Sequence, residues 1–242
     1  MGSVRFTCRL AMASVVALLG SFVLAGAGSA LDCDITFPVE GGSIASLTHG
    51  QVACGGPGPD SIETMDGGIF LGHGGEDRVV TLEGGKFVGG RGYDVVYYLE
   101  GGRFYGGGYT DQVLYYIRDG RFVGGPGNDR VERLEGGVFK GGPGDDRVRY
   151  LSGGTFYGAA GADSAPHVYG TGVFRAGRGP DTVMWLRDGG KFNGAKGADR
   201  VTQYLYNATF NGGAGSEAAV VADCSTTEVL TGVEDVSNVP CE

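Results

Sequence analysis

Aspartate returns along this chain at Asp60, Asp77, Asp94, Asp111, Asp129, Asp146, Asp163, Asp181 and Asp199, with Glu217 in the tenth place, at intervals of 17 or 18 residues. Apolar columns keep the same phase. Two residues after each acid stands Ile62, Val79, Val96, Val113, Val131, Val148, Ala165, Val183, Val201 or Ala219. A second column runs Met65, Leu82, Leu99, Ile117, Leu134, Leu151, Val168, Leu186 and Leu205. The third is phenylalanine throughout, from Phe70 by way of Phe87, Phe104, Phe122, Phe139, Phe156, Phe174 and Phe192 to Phe210. A period of this kind makes one repeat and its stacking the unit from which the fold has to be read.

The unit Gly141 to Tyr157, GGPGDDRVRYLSGGTFY, has two glycine turns. The first ends in Asp146 and leads into Val148, and the second surrounds Gly153-Gly154 and leads into Phe156. Paired glycines at this density exclude helix, because each costs about 1 kcal/mol relative to alanine. Collagen is excluded as well, since glycine does not fall at every third position. We expect an all-β parallel solenoid of 17–18-residue coils, in which each column becomes a line of side chains about 4.8 Å apart and each coil buries its apolar residues against its neighbours. The coil from Gly158 to Arg175 breaks the pattern. Ala165 replaces the inward valine and Pro166 removes a ladder donor, which predicts a bulge or weak point.

The first 30 residues read differently. Arg5 and Arg9 precede the apolar run Leu10 to Leu24, which ends in small residues, the pattern of a secretory signal peptide cut after Ala27 or Ala30. Residues 31–54 are expected as an N-terminal cap, 55–217 as the repeat solenoid and 218–242 as a C-terminal cap. Leu230 to Val236 is expected to supply a last strand over the open edge. Export places the chain outside the cell, with no membrane span after cleavage, and makes disulfides available. Cys33 and Cys54 lie before the repeats, Cys224 and Cys241 after them; four cysteines allow three connectivities, and the local pairs Cys33–Cys54 and Cys224–Cys241 are favoured. Each would close a loop worth about 3 kcal/mol in the chain-entropy model. Without residues 1–30 the chain has 17 basic residues against 28 acidic. That balance disfavours nucleic acid, whose binding rests on phosphate neutralisation, and favours bound cations.

The first half-unit, Gly-Gly-x-Gly-x-Asp-x-(apolar)-x, stands complete at Gly55 to Glu63, Gly89 to Tyr97, Gly124 to Glu132 and Gly141 to Arg149. Other turns drift: His73 interrupts the first glycine pair, Tyr109 replaces the third glycine, and alanine replaces early glycines near 158, 176 and 194. In these nonapeptides the chain resembles the RTX, or hemolysin-type calcium-binding, repeat family. The resemblance implies a right-handed parallel β-roll with Ca²⁺ between successive turns, held by aspartate carboxylates and turn carbonyls. That makes Asp60, Asp77, Asp94, Asp111, Asp129, Asp146, Asp163, Asp181 and Asp199 the expected ligands. The second turn, as in Leu82 to Phe87, lacks the aspartate, so one row of ions is expected along one edge of the solenoid.

The residues supply reasons of their own. Glycine lets the backbone turn carbonyls towards a common centre, and a hard cation takes oxygen ligands. Carboxylates stacked about 5 Å apart repel by roughly 3 kcal/mol per pair at an effective dielectric near 20. An alternative is that each Asp caps its own turn through an Asx hydrogen bond, with Arg78, Arg130, Arg147 and Arg200 as counter-charge, giving a solenoid independent of calcium.

A second line, just before the leucine column, includes Tyr98, Tyr116, Tyr150, His167, Trp185 and Tyr204. Facing outward, Tyr98, Tyr116, Tyr150, Trp185 and Tyr204 would form a strip able to stack on an extracellular polysaccharide or dock a cell-surface protein. Stacking between coils explains the same pattern. His49, His73 and His167 are scattered and no nucleophile sits in a recognisable setting, so no enzyme is expected. The function expected from the sequence is that of a secreted calcium-binding repeat protein with a structural or adhesive role.

Overall fold

The computed structural model of the chain describes residues 32–216, 218–221, 229–231 and 235–238. Each coil contributes one strand to each of two parallel sheets of 12 strands. One sheet takes the valine and leucine columns, in strands such as Arg78–Leu82, Val95–Leu99 and Arg147–Leu151. The other takes phenylalanine, in strands such as Lys86–Arg91, Arg103–Gly108 and Thr155–Ala160. Register follows the columns: Val79 lies beside Val96 and Leu82 beside Leu99, while Phe87 lies beside Phe104.

The valine–leucine sheet and the phenylalanine sheet close on each other, and the three columns are buried from Ile62 to Val201, Met65 to Leu205 and Phe70 to Phe210. From Phe70 to Phe210 the rings stack at 4.6–5.1 Å between centroids with planes within 11°. Burying one such ring contributes about 1.5–3 kcal/mol, and stacking adds about 0.5–1.5 kcal/mol per pair. The width of the interior therefore matters less than the uninterrupted contact along it. Phe37, a residue the repeat pattern does not single out, closes the column by meeting Phe70 at 5.7 Å with a tilt of 57°.

The drifted turns keep the geometry of the complete ones. His73, Tyr109, Ala159 and Ala195 occupy positive φ, at 71°, 81°, 90° and 82°, where glycine is at ease and an L side chain is strained. At Gly127 the demand is also steric, because a Cβ there would stand 1.5 Å from the Tyr109 carbonyl oxygen of the coil before.

The expected interruption is present. Between Asp163 and Val168 the strand shrinks to His167–Val168, and Ser164 makes isolated bridges to Arg147 and Thr182. Pro166 donates nothing but accepts from the Trp185 N–H at 2.8 Å. A second irregularity follows from spacing: between Asp111 and Asp129 one residue is added, and the register shifts between Val113 and Ile117. The added residue leaves Tyr115 47% exposed.

Both ends continue the stack. Ile35–Thr36 pairs with Val52–Cys54, and Gly42–Leu47 pairs with Asp60–Met65, so the segment expected as a cap is built as a coil. Cys33 and Cys54 are bonded as expected, with Cα atoms 5.8 Å apart. Val229–Thr231 and Asp235–Asn238 add the last strands, beside Thr209–Gly215 and Ala218–Val221. Cys224, Cys241, Glu217 and the leader segment 1–30 lie outside the described residues.

Candidate metal-binding column

The nine aspartates from Asp60 to Asp199 form a single column, each no more than 1% exposed. They line the interior at the end of the coil away from phenylalanine; no carboxylate of the column stands on an outer edge. The first glycine of each turn makes the room. A Cβ on Gly141 would lie 1.8 Å from Asp146 Oδ2, and one on Gly89 would lie 2.0 Å from Asp94 Oδ2. Only in the turn of Asp181 does the side chain of Ala176 occupy that place.

From Asp77 to Asp199, one oxygen of each carboxylate joins the ladder between coils. The backbone N–H of Asp60 donates to Asp77 Oδ1 at 2.8 Å, that of Asp129 to Asp146 Oδ1 at 2.8 Å, and that of Asp146 to Asp163 Oδ1 at 2.8 Å. An aspartate thus caps the coil before its own. The Asx bond considered from sequence is made at Asp60, whose Oδ2 accepts from the Gly56 N–H at 3.0 Å. The neighbouring arginines do not provide counter-charge. Arg78 pairs with Glu63 at 3.7 Å, Arg130 and Arg147 are exposed, and no ion pair among the described residues joins an arginine to Asp60 through Asp181.

The other oxygen is left over. Asp77, Asp94, Asp111, Asp129, Asp146, Asp163 and Asp181 each bury Oδ2 without a hydrogen-bond partner, and Asp60 does so with Oδ1. A buried polar atom left unpaired costs about 1–3 kcal/mol, and more when charged. Burial accordingly pushes these carboxyls up: Asp94 and Asp163 to about 6, Asp77 and Asp129 to about 7, Asp111, Asp146 and Asp181 to about 8. The donated N–H pulls each the other way. At Asp77, Asp111, Asp146 and Asp181 the adjacent aspartates raise it further.

Oxygen donors are what this column can offer a ligand. Beside Gly72, Asp77 Oδ2 and the Gly89 carbonyl oxygen crowd one point, lying 2.0 and 2.6 Å from where a Cβ would stand. Carboxylate and carbonyl oxygens are the donor set of Ca²⁺. Among the described residues no three His, Cys, Asp or Glu side chains converge on one point, so backbone carbonyls would supply the remaining ligands.

The aromatic strip is present on the valine–leucine sheet but divided. Tyr98 stacks on Tyr115 at 4.9 Å and meets Tyr116 at 5.3 Å. Tyr150 stacks on His167 at 4.9 Å, and Trp185 meets His167 at 6.4 Å and Tyr204 at 5.5 Å. Arg133, beside Tyr150 in the register, separates the two groups. Arg118 lies 4.7 Å over Tyr116, and Arg149 lies 5.2 Å over Tyr150. Stacking between coils and cation–π contacts account for these rings.

Burial of the column also redistributes charge. Between residues 61 and 216 there are 17 Lys and Arg and, outside the column, only 10 acidic residues. With the column buried, the outer surface along the repeats is basic, and the net acidity of the whole chain comes mostly from the residues before 61 and after 216. No helix among the described residues is long and apolar enough to cross a membrane.

No family model matches the chain, and no curated protein does. A solved structure does match, that of a hyperactive, Ca²⁺-dependent, β-helical antifreeze protein from an Antarctic bacterium. The TM-score is 0.52 at 21% identity, over 84% of this chain and 72% of that one. At that identity the likeness is one of fold: both chains are β-helical solenoids.

Proposed function

We propose that this chain is an exported, non-enzymatic calcium-binding solenoid, in which a row of Ca²⁺ along the aspartate column holds successive coils together for a structural or adhesive role outside the cell. One observation carries the proposal. Asparagine would satisfy the ladder N–H without a charge, yet all nine places from 60 to 199 hold aspartate, and from Asp77 to Asp181 the second oxygen is buried without a hydrogen-bond partner. Those leftover oxygens and the carbonyls of the first glycines would hold the ion, which would supply the missing positive charge and cross-link adjacent coils. The Ca²⁺ dependence of the β-helical neighbour supports the same reading. Its antifreeze activity finds no such support here: the outward turn positions, Pro59, Glu76, Tyr93, Thr110, Asn128, Asp145, Ala162, Pro180 and Ala198, form no repeating array.

The test is a calcium titration of the purified protein, followed by calorimetry and by melting under circular dichroism. A ligand that binds only the folded state raises stability by about 2.7 kcal/mol at a hundred times its dissociation constant. Asp146→Asn keeps the acceptor for Asp129 N–H, so the variant should fold with less heat of calcium binding and a smaller gain in melting temperature. Identical melting of the parent protein in chelator and in millimolar Ca²⁺ would exclude the proposal.

A further inference from the structure

The outward face of the phenylalanine sheet carries charge of one sign. Its strands from Ile69–Gly74 to Thr209–Gly215 contain Lys86, Arg91, Arg103, Arg121, Lys140, Arg175, Arg178, Lys191 and Lys196 and no acidic residue. All nine cations are exposed, and no ion pair among the described residues includes any of them. In a chain with 28 acidic residues and 19 basic ones, that separation has to come from the fold.

Register makes the arrangement less comfortable still. Lys86 lies directly beside Arg103, and Arg103 beside Arg121; Arg178 lies beside Lys196. Like charges directly opposite one another on a sheet are destabilising, so these cations lower the stability of the free protein. Between them the face presents tyrosines. Tyr157, 39% exposed, stands in register between Lys140 and Arg175, with Lys140 Nζ at 5.8 Å and the Arg175 guanidinium at 5.9 Å from its ring. Lys86 Nζ lies 5.0 Å from the ring of Tyr105.

We infer that this face binds a linear acidic polysaccharide lying along the solenoid axis, its anionic groups on the cations of successive coils and its hydroxyls beside the outward edges of Tyr105 and Tyr157. Cations one coil apart, about 4.8 Å, suit a polymer with one charge per sugar ring. With cations over their ring faces, Tyr105 and Tyr157 offer a sugar chain an apolar edge and a polar tip. Duplex nucleic acid fits less well. It carries a charge about every 1.7 Å of its axis, and a wide duplex would overlap the turn between the leucine and phenylalanine columns, where Asp66, Glu83, Glu100, Asp119, Glu135 and Asp188 outnumber Arg118 and Arg187. A single sugar chain is narrow enough to lie clear of that turn.

The inference does not depend on calcium in the aspartate column and is tested in calcium-free buffer at about pH 5, where the buried carboxyls stay protonated and the fold does not need the ion. The probes are an oligogalacturonate of about ten rings, which is long enough to span the face at one ring per coil, a neutral dextran, and a DNA duplex of equal charge. Calorimetry should show saturable binding of the oligogalacturonate alone. An affinity that rests on three or more cations should fall by about tenfold or more between about 50 and about 200 mM salt. K86Q/R103Q/R121Q should lose at least tenfold in affinity while its melting temperature stays level or rises as the opposed like charges are removed, and R130Q/R147Q/R200Q, which removes equal charge from the opposite sheet, should bind like the parent. Absence of binding at low salt, equal loss in the two variants, or duplex DNA binding as tightly as the oligogalacturonate would each overturn the inference.

Discussion

Consider raising the pH of the calcium-free protein from 5 to 8. In the unfolded chain an aspartate has a pKa of 3.8, whereas burial in the column takes Asp77 and Asp129 to about 7 and Asp146 to about 8. Between the two values the folded state holds protons that the unfolded state has released, so stability falls as pH rises through this window. A single group raised to about 7 loses roughly 2–3 kcal/mol between pH 5 and pH 8, at about 1.4 kcal/mol per pKa unit. For a protein of this size that is a fall of about 5–10 °C in melting temperature from one carboxyl. Seven such groups acting fully would exceed the usual total stability of 5–15 kcal/mol, so the calcium-free protein at pH 8 should be marginal or unfolded. Thermal melts in chelator, run in steps from pH 5 to pH 8 and followed by circular dichroism, measure the effect directly. Millimolar Ca²⁺ should restore the melting temperature at pH 8, with protons released in weak buffer, and Asp146→Asn should flatten the chelator profile. A melting temperature in chelator that stays level or rises from pH 5 to pH 8 would refute the description of the column as a row of buried carboxyls needing neutralisation.

Other perturbations separate space from charge. Gly141→Ala places a methyl 1.8 Å from Asp146 Oδ2 and should destabilise the protein by about 1–3 kcal/mol, the usual cost of overpacking, while reducing the heat of calcium binding in calorimetry. Phe139→Ala opens a gap in the ring stack and should cost about 3–5 kcal/mol in chemical denaturation, with calcium binding at distant coils retained.

Much of this architecture is legible in the residues because a parallel solenoid is nearly one-dimensional. A column in sequence becomes a column in space, so Phe70 to Phe210, Val79 to Val201 and the nine aspartates could be placed in register from spacing alone. The weak coil at Ala165-Pro166 follows from a missing valine and a missing donor. The bulge at Tyr115 was not legible in the same way, because the one residue added between Asp111 and Asp129 does not say where in the coil it goes. Phe37 was not legible, since it lies before the first repeat and joins the ring stack only through the way the first coil folds over.

Spacing determined the coil length, the core columns and the two glycine turns, because each depends on contacts between neighbouring repeats, and it favoured the Cys33–Cys54 closure among three connectivities. Which way the aspartates point was a matter for the tertiary structure. A carboxylate after a glycine turn can face outward as an edge or inward beside a glycine, and the inward choice depends on the room left by the missing Cβ and on the N–H offered by the coil before. That choice takes nine carboxyls of an acidic chain inside and leaves a basic outer surface along residues 61–216. Composition counts charges without regard to depth, so the cationic face of the phenylalanine sheet emerges only when the coils are stacked.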